Sequence, residues 1–186
     1  MARIALDGEV MYTEGTLPTV GRLAPKFTLT GVDWTDFGIE RFGARPKVID
    51  IVPSIDVPAF GASLRLLAER LRPLGDTLLL LVSNDLPFAA QRWLAIERLD
   101  AVVALSAFRS PNFARACGVA IVSGPLKGLL ARASLVLDRD NQVLHAELSR
   151  EILRPPNHDA IVGSLTRSAS ATARDVTPAG VATVSS

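Results

Sequence analysis

Few side chains in this 186-residue chain are equipped for chemistry. Cys117 is its single cysteine, and His145 and His158 are its only histidines. A lone thiol closes no internal disulfide, and two histidines without a cysteine pair do not make a zinc centre, so neither a metal nor a cofactor is expected. Cys117 stands between Ala116 and Gly118 at the end of a short helical pattern over 111–116. The negative end of a helix raises a thiol pKa, and a thiol near its ordinary value of about 8.5 is little ionised at neutral pH. Cys117 therefore reads as a small core residue rather than a nucleophile. Ser54 and Ser63 have no histidine near them in sequence and form no recognisable hydrolase triad. His145 falls on an alternating terminal strand and His158 opens the last helix; neither reads as a general base. The stretch Gly124-Pro125-Leu126-Lys127-Gly128 fits neither a P-loop nor a dinucleotide fingerprint.

The elements that must position these residues alternate between strands and helices. Residues 4–6 and 10–12 form a hairpin about Asp7-Gly8, and 21–29 give a proline-led short strand. Residues 48–52 form a strand that stops at Pro53. The helix over 59–71 carries Leu64, Leu67, Ala68 and Leu71 on one face, opposite Arg65, Glu69 and Arg72. The apolar run 77–83 has the length of a strand buried on both faces. A helix with Pro87 in its first turn spans 87–99, a strand 102–105, and a short helix 111–116 that ends at Gly118. Residues 134–137 and 143–148 pair across 138–141, and a last helix covers 157–168 with Asn157 as N-cap. This alternation is an α/β class pattern with a mixed sheet. Residues 1–169 read as one domain, and 170–186, small and polar, as a flexible tail.

Composition narrows the partners. The formal charge is +1 with 48% hydrophobic residues, and lysine occurs only at Lys26, Lys47 and Lys127. Nothing in that balance favours nucleic acid or a membrane surface. No apolar stretch reaches the length of a membrane span, and acid and glycine arrive too early at the N-terminus for a signal peptide. A cytoplasmic location is the expectation.

The segment Pro53-Ser54-Ile55-Asp56-Val57-Pro58-Ala59-Phe60 resembles the active-site segment of the bacterial thiol peroxidases, a peroxiredoxin subfamily, written Pro-Ser-x-Asp-Thr-x-x-Cys. Gly21-x-x-Ala24-Pro25-x-Phe27 is similar to the peroxiredoxin entry signature. Ser83-x-Asp85-Leu86-Pro87-Phe88-Ala89, Leu105-Ser106-x-Phe108-Arg109 and Gly118-Val119-Ala120-Ile121 followed by 124–133 are similar to thiol-peroxidase wording. The resemblance covers roughly 5–168 and implies a thioredoxin-like fold, with a mixed central sheet flanked by helices and an N-terminal β-hairpin, and a homodimer.

The resemblance also implies a degenerate site. Val57 stands where the family has its peroxide-binding threonine, Phe60 where it has the peroxidatic cysteine, and Leu94 where the resolving cysteine falls. Pro53 and Arg132 keep the positions of the shielding proline and the polarising arginine. Without a thiolate, which is the group that attacks peroxide, Arg132 needs another anion, and Asp56 or Asp85 is the expected internal partner. Phe60, Phe88 and Trp93 are candidates to line an apolar cleft, with Arg132 and Asp56 as its polar members. Three readings follow: a non-catalytic homologue that binds a small apolar or anionic ligand or a protein partner; an enzyme repurposed around Arg132; or a residual peroxidase acting through Cys117. A buried Phe60 and a paired Arg132 would favour the first.

Overall fold

The computed structural model describes the backbone of residues 1–175 and the side chains of residues 1–171. The N-terminal hairpin joins Ala2–Leu6 (β1) to Glu9–Glu14 (β2) through Asp7 and Gly8, both left-handed at φ 49° and 85°. Ile4 and Met11 oppose one another in its register and are buried. Thr28–Gly31 (β3) and Asp36–Gly38 (β4) form a second hairpin. Lys47–Ile51 (β5) leads into Pro58–Leu71 (α1), Leu78–Ser83 (β6), Pro87–Glu97 (α2), Val102–Ser106 (β7) and Pro111–Ala116 (α3). A two-residue strand Ala120–Ile121 (β8), the hairpin Ala133–Leu137 (β9) and Val143–Leu148 (β10), and His158–Asp175 (α4) complete the chain.

The central sheet runs β10-β9-β5-β6-β7-β3-β4, while β1, β2 and β8 make a small separate sheet. β5, β6 and β7 are parallel and the remaining pairs antiparallel, which gives the mixed sheet expected. Apart from Thr77 and Leu78 at its start, the strand read from the apolar run is buried residue by residue, as the middle of a parallel sheet requires. The face of α1 read from helical spacing is also the buried one: Leu64, Leu67 and Leu71 lie in the core, and Ala68 is half-buried. α1 meets α2 through an Arg65–Glu97 ion pair and α4 through an Arg70–Asp159 ion pair.

Two differences from the sequence reading stand out. The β3–β4 hairpin was not anticipated because its turn carries no glycine at its tightest point. Trp34 sits there at φ +66°, held by its N–H to Gly31 O and by Asp33, whose carboxylate accepts from Thr35 N and Oγ1. Asn157 caps the final helix as read, its Oδ1 accepting from Ala160 N at 3.0 Å, and the helix itself starts at His158. That helix continues through 170–175, the first part of the segment read as a tail, and residues 176–186 lie outside the described residues.

Gly118 ends α3 as read, at φ +67°. A methyl group there would meet the backbone of Thr16 as well as an unfavourable backbone angle. Gly118→Ala is therefore expected to lower stability by roughly 2 kcal/mol or more in a denaturant titration, whereas Gly8→Ala, also at positive φ but open to space, costs less.

Candidate functional site

The site is built where β5 gives way to α1. Val52 still bonds to the sheet through its N–H to Val82 O at 2.9 Å, and the buried Pro53, which has no N–H, stops the ladder there. The turn that follows is clamped by Asp85, just beyond β6. Its carboxylate accepts from Ser54 Oγ at 3.0 Å and from Ile55 N at 2.8 Å, and Ser54 Oγ in turn accepts from Asp56 N at 3.2 Å. Pro58, with its φ preset, occupies the first helical position of α1. Phe60 therefore lies in the first turn, its N–H bonded to Val57 O at 2.9 Å.

Phe60 turns inward and is only 3% exposed. Arg132, immediately before β9, is fully buried and places its guanidinium carbon 4.9 Å from the centre of the Phe60 ring. Its Nη1 lies 3.2 Å from Oδ2 of Asp50, itself fully buried in the middle of β5. Its Nη2 donates to Ser63 Oγ, one turn along α1 from Phe60, at 3.2 Å. Ser63 Oγ is 3.3 Å from His158 Nε2 at the start of α4. One charge-paired chain, Asp50–Arg132–Ser63–His158, thus joins β5, β9, α1 and α4 beneath the Phe60 ring. Burial pushes the Asp50 carboxyl up, with the Arg132 charge pulling against it. Burial, with Arg70 and Arg132 beside it, pushes the His158 imidazole down.

This arrangement corrects the partner expected for Arg132. Asp56 is exposed, and the Asp85 carboxylate is spent on the turn; Asp50 takes the role instead. Asp50 had a signal in the sequence: within the strand read over 48–52 it is the one charged residue among four apolar ones, and a buried charge requires a counter-charge. Ser63 has no histidine near it in sequence, but the fold of α4 against α1 brings His158 to it across 95 positions. His145 remains apart from this group, 3.4 Å from Glu147 Oε2 on its own strand.

The apolar cleft expected from Phe60, Phe88 and Trp93 does not form. Phe88 is 64% exposed and packs on Trp34, with ring centres 4.6 Å apart. Trp93 is half-buried against α1, where Gly61 leaves room for its ring. Leu94 is half-buried against the core. Val57 is half-buried at the mouth of the turn. None of four surface clefts, the largest about 730 Å³, has Phe60, Val57 or Arg132 in its wall. Cys117 is fully buried at the end of α3, and burial pushes its thiol up to about 12. No group of histidine, cysteine and acidic side chains among the described residues is arranged to hold a metal, and no described helix is long and apolar enough to cross a membrane.

Comparison with known proteins gives a consistent answer. The Redoxin family profile matches residues 19–162. The thiol peroxidases of Mycobacterium tuberculosis and Mycobacterium bovis are each 42% identical to this chain over 165 residues, spanning 89% of it and 99% of their own length. Among solved structures, the peroxiredoxin-like protein from Aquifex aeolicus superposes with a TM-score of 0.81 at 29% identity, covering 90% of this chain and 97% of its own. The thiol peroxidase from Chromobacterium violaceum shares the fold at a TM-score of 0.85 and 24% identity, covering 91% and 98%. By profile, sequence and thioredoxin-like architecture, the chain belongs to the thiol peroxidases of the redoxin family.

Proposed function

We propose that this protein is a thiol-peroxidase homologue without peroxidase chemistry, which keeps the fold to bind a protein partner or a small apolar ligand. The observation that carries this reading is Phe60 itself, buried in the first turn of α1 with its ring against Arg132. A phenyl ring forms no thiolate, and here it occupies the volume above the guanidinium that a peroxide would need. The resolving position is equally inert as Leu94. Burying the Phe60 ring contributes on the order of 2–3 kcal/mol, so closure stabilises the fold as well as blocking the site.

The two other readings lack what they require. An enzyme repurposed around Arg132 needs that cation facing a cleft, and it is buried and paired with Asp50. A peroxidase acting through Cys117 needs an accessible thiolate, and this thiol is buried and held protonated far above neutral pH.

A homodimer and a cytoplasmic location belong to the same proposal. The surface best suited to a second copy is the exposed aromatic cluster of Trp34, Phe88 and Phe108, with ring centres 4.6 and 6.1 Å apart. Leu86 adds a further exposed apolar group two positions before Phe88. The rim carries both signs, since Arg109 pairs with Asp36 and donates to Trp34 O. A two-fold copy can therefore oppose acid to base across the axis, and aromatic and arginine anchors of this kind carry most binding energy at interfaces.

Two outcomes are expected. The native protein should consume hydrogen peroxide or cumene hydroperoxide with dithiothreitol no faster than a blank, and Phe60→Cys combined with Val57→Thr should gain turnover at least about tenfold above it. Native turnover that disappears in Cys117→Ser would overturn the reading. Phe88→Asp should weaken self-association by about 30-fold or more in sedimentation, as loss of a central aromatic anchor does; an unchanged assembly would place the interface elsewhere.

A further inference from the structure

The His158 ring is the point at which the C-terminal helix meets the closed site. It is 7% exposed, and its Nε2 lies 3.3 Å from Ser63 Oγ. Arg132 can only donate, so Ser63 Oγ accepts from Nη2 on one side and keeps its own proton for the other. A neutral His158 ring with its proton on Nδ1 would present Nε2, 3.3 Å away, as the acceptor on that side.

The charges around the ring leave little room for a second proton. Ser63 and Arg70 are seven positions apart on α1, on the face that receives the first turn of α4. Arg70 therefore faces the ring from α1, and Arg132 faces it from behind Ser63. The anions in reach are already engaged. Asp159 on α4 pairs with Arg70, and Glu147 on β10 accepts from Asn157 N at 3.0 Å and lies 3.4 Å from His145 Nε2.

We propose that His158 is a proton-operated latch between α4 and α1. In its neutral form it takes the Ser63 hydroxyl proton and holds the first turn of α4 over the Ser63–Arg132–Asp50 chain. When Nε2 gains a proton it becomes a donor, the Ser63 hydroxyl loses its acceptor, and a new positive charge faces Arg132 and Arg70. The first turn of α4 then lifts, exposing Ser63 and, behind it, Arg132, with Phe60 still in place. The direction of the histidine shift agrees: burial and the two arginines favour the neutral ring. The folded state binds fewer protons here than the unfolded chain. The latch's contribution is therefore complete above the ordinary histidine pKa of about 6.5 and is lost as pH falls below that value and through the lower folded one. The inference is independent of whether the protein has lost its peroxidase chemistry.

The test uses the untagged full chain and two measurements. In His145→Asn, which leaves His158 as the only imidazole, the ring nitrogens are followed by NMR through a pH titration. The expected result is an Nδ1–H tautomer with a midpoint below 6.5. Amide exchange, corrected for intrinsic rates, is then compared between pH 7.5 and 5. Protection in the first turn of α4 should fall roughly tenfold in the native protein. In His158→Gln, whose amide oxygen still accepts from Ser63 but does not titrate, it should hold constant. An Nε2–H tautomer, a midpoint at or above 6.5, or the same loss of protection in His158→Gln would overturn the latch.

Discussion

Removing a guanidinium and a carboxylate from water costs several kcal/mol for each ion, and the cost is recovered only when each meets the other at close range. Arg132 and Asp50 meet as an ion pair at 3.2 Å with both side chains fully buried, while Asp50 Oδ1 and Arg132 Nε have no hydrogen-bond partner of their own. Much of the surrounding structure follows from this pair. The strand order places β9 beside β5, so that a residue just before β9 reaches one in the middle of β5. Ser63 takes a further guanidinium proton from the α1 side. The Phe60 ring covers the cation with its π face, a contact attractive to a positive charge and worth more as water is excluded.

The closed site depends on a turn that the pair does not hold. Asp85, at the end of the neighbouring parallel strand, fixes Ser54 and Ile55, and with them the entry to α1. Ser106 Oγ donates to the Asp85 backbone carbonyl, tying the clamp to β7. Three parallel strands thus end together at one edge, where loops between strands and helices carry function in open α/β sheets. In this chain the buried ring of Phe60 lies at that edge, in the first turn of α1. Phe88 of the exposed aromatic cluster lies three residues beyond Asp85, so the turn into α1 and this aromatic surface share a support.

The sheet and helices were legible because their signal is local. Residues 77–83 are apolar without a break, and α1 repeats its leucines at helical spacing, so burial in three dimensions is already written in the order of residues. The β3–β4 turn was not legible, since Trp34 adopts a conformation its side chain does not favour and is held there by Asp33 and Arg109. Motif resemblance singled out Phe60, Pro53 and Arg132, and the fold brings Phe60 and Arg132 into contact. Proximity in sequence then misled, pointing to Asp56 and Asp85 as partners of Arg132. The actual partner, Asp50, is selected by strand register, which brings it opposite Ser134 just beyond Arg132. His158 escaped for the same reason, because its contact with Ser63 depends on how the last helix docks. Reading the central acid of an otherwise apolar strand as a charge in need of a partner would have recovered the first of these.

The central claim is that the site is closed around a desolvated ion pair, and a double-mutant cycle on Asp50 and Arg132 tests it most directly. Removing one member leaves its partner buried and unpaired, so Arg132→Met and Asp50→Leu alone should each cost about 3–5 kcal/mol in denaturant unfolding, while the double variant recovers most of that loss. Single variants within about 0.5 kcal/mol of the native protein would mean that water reaches both charges. The site would then be open, and the account given for Phe60 would be wrong.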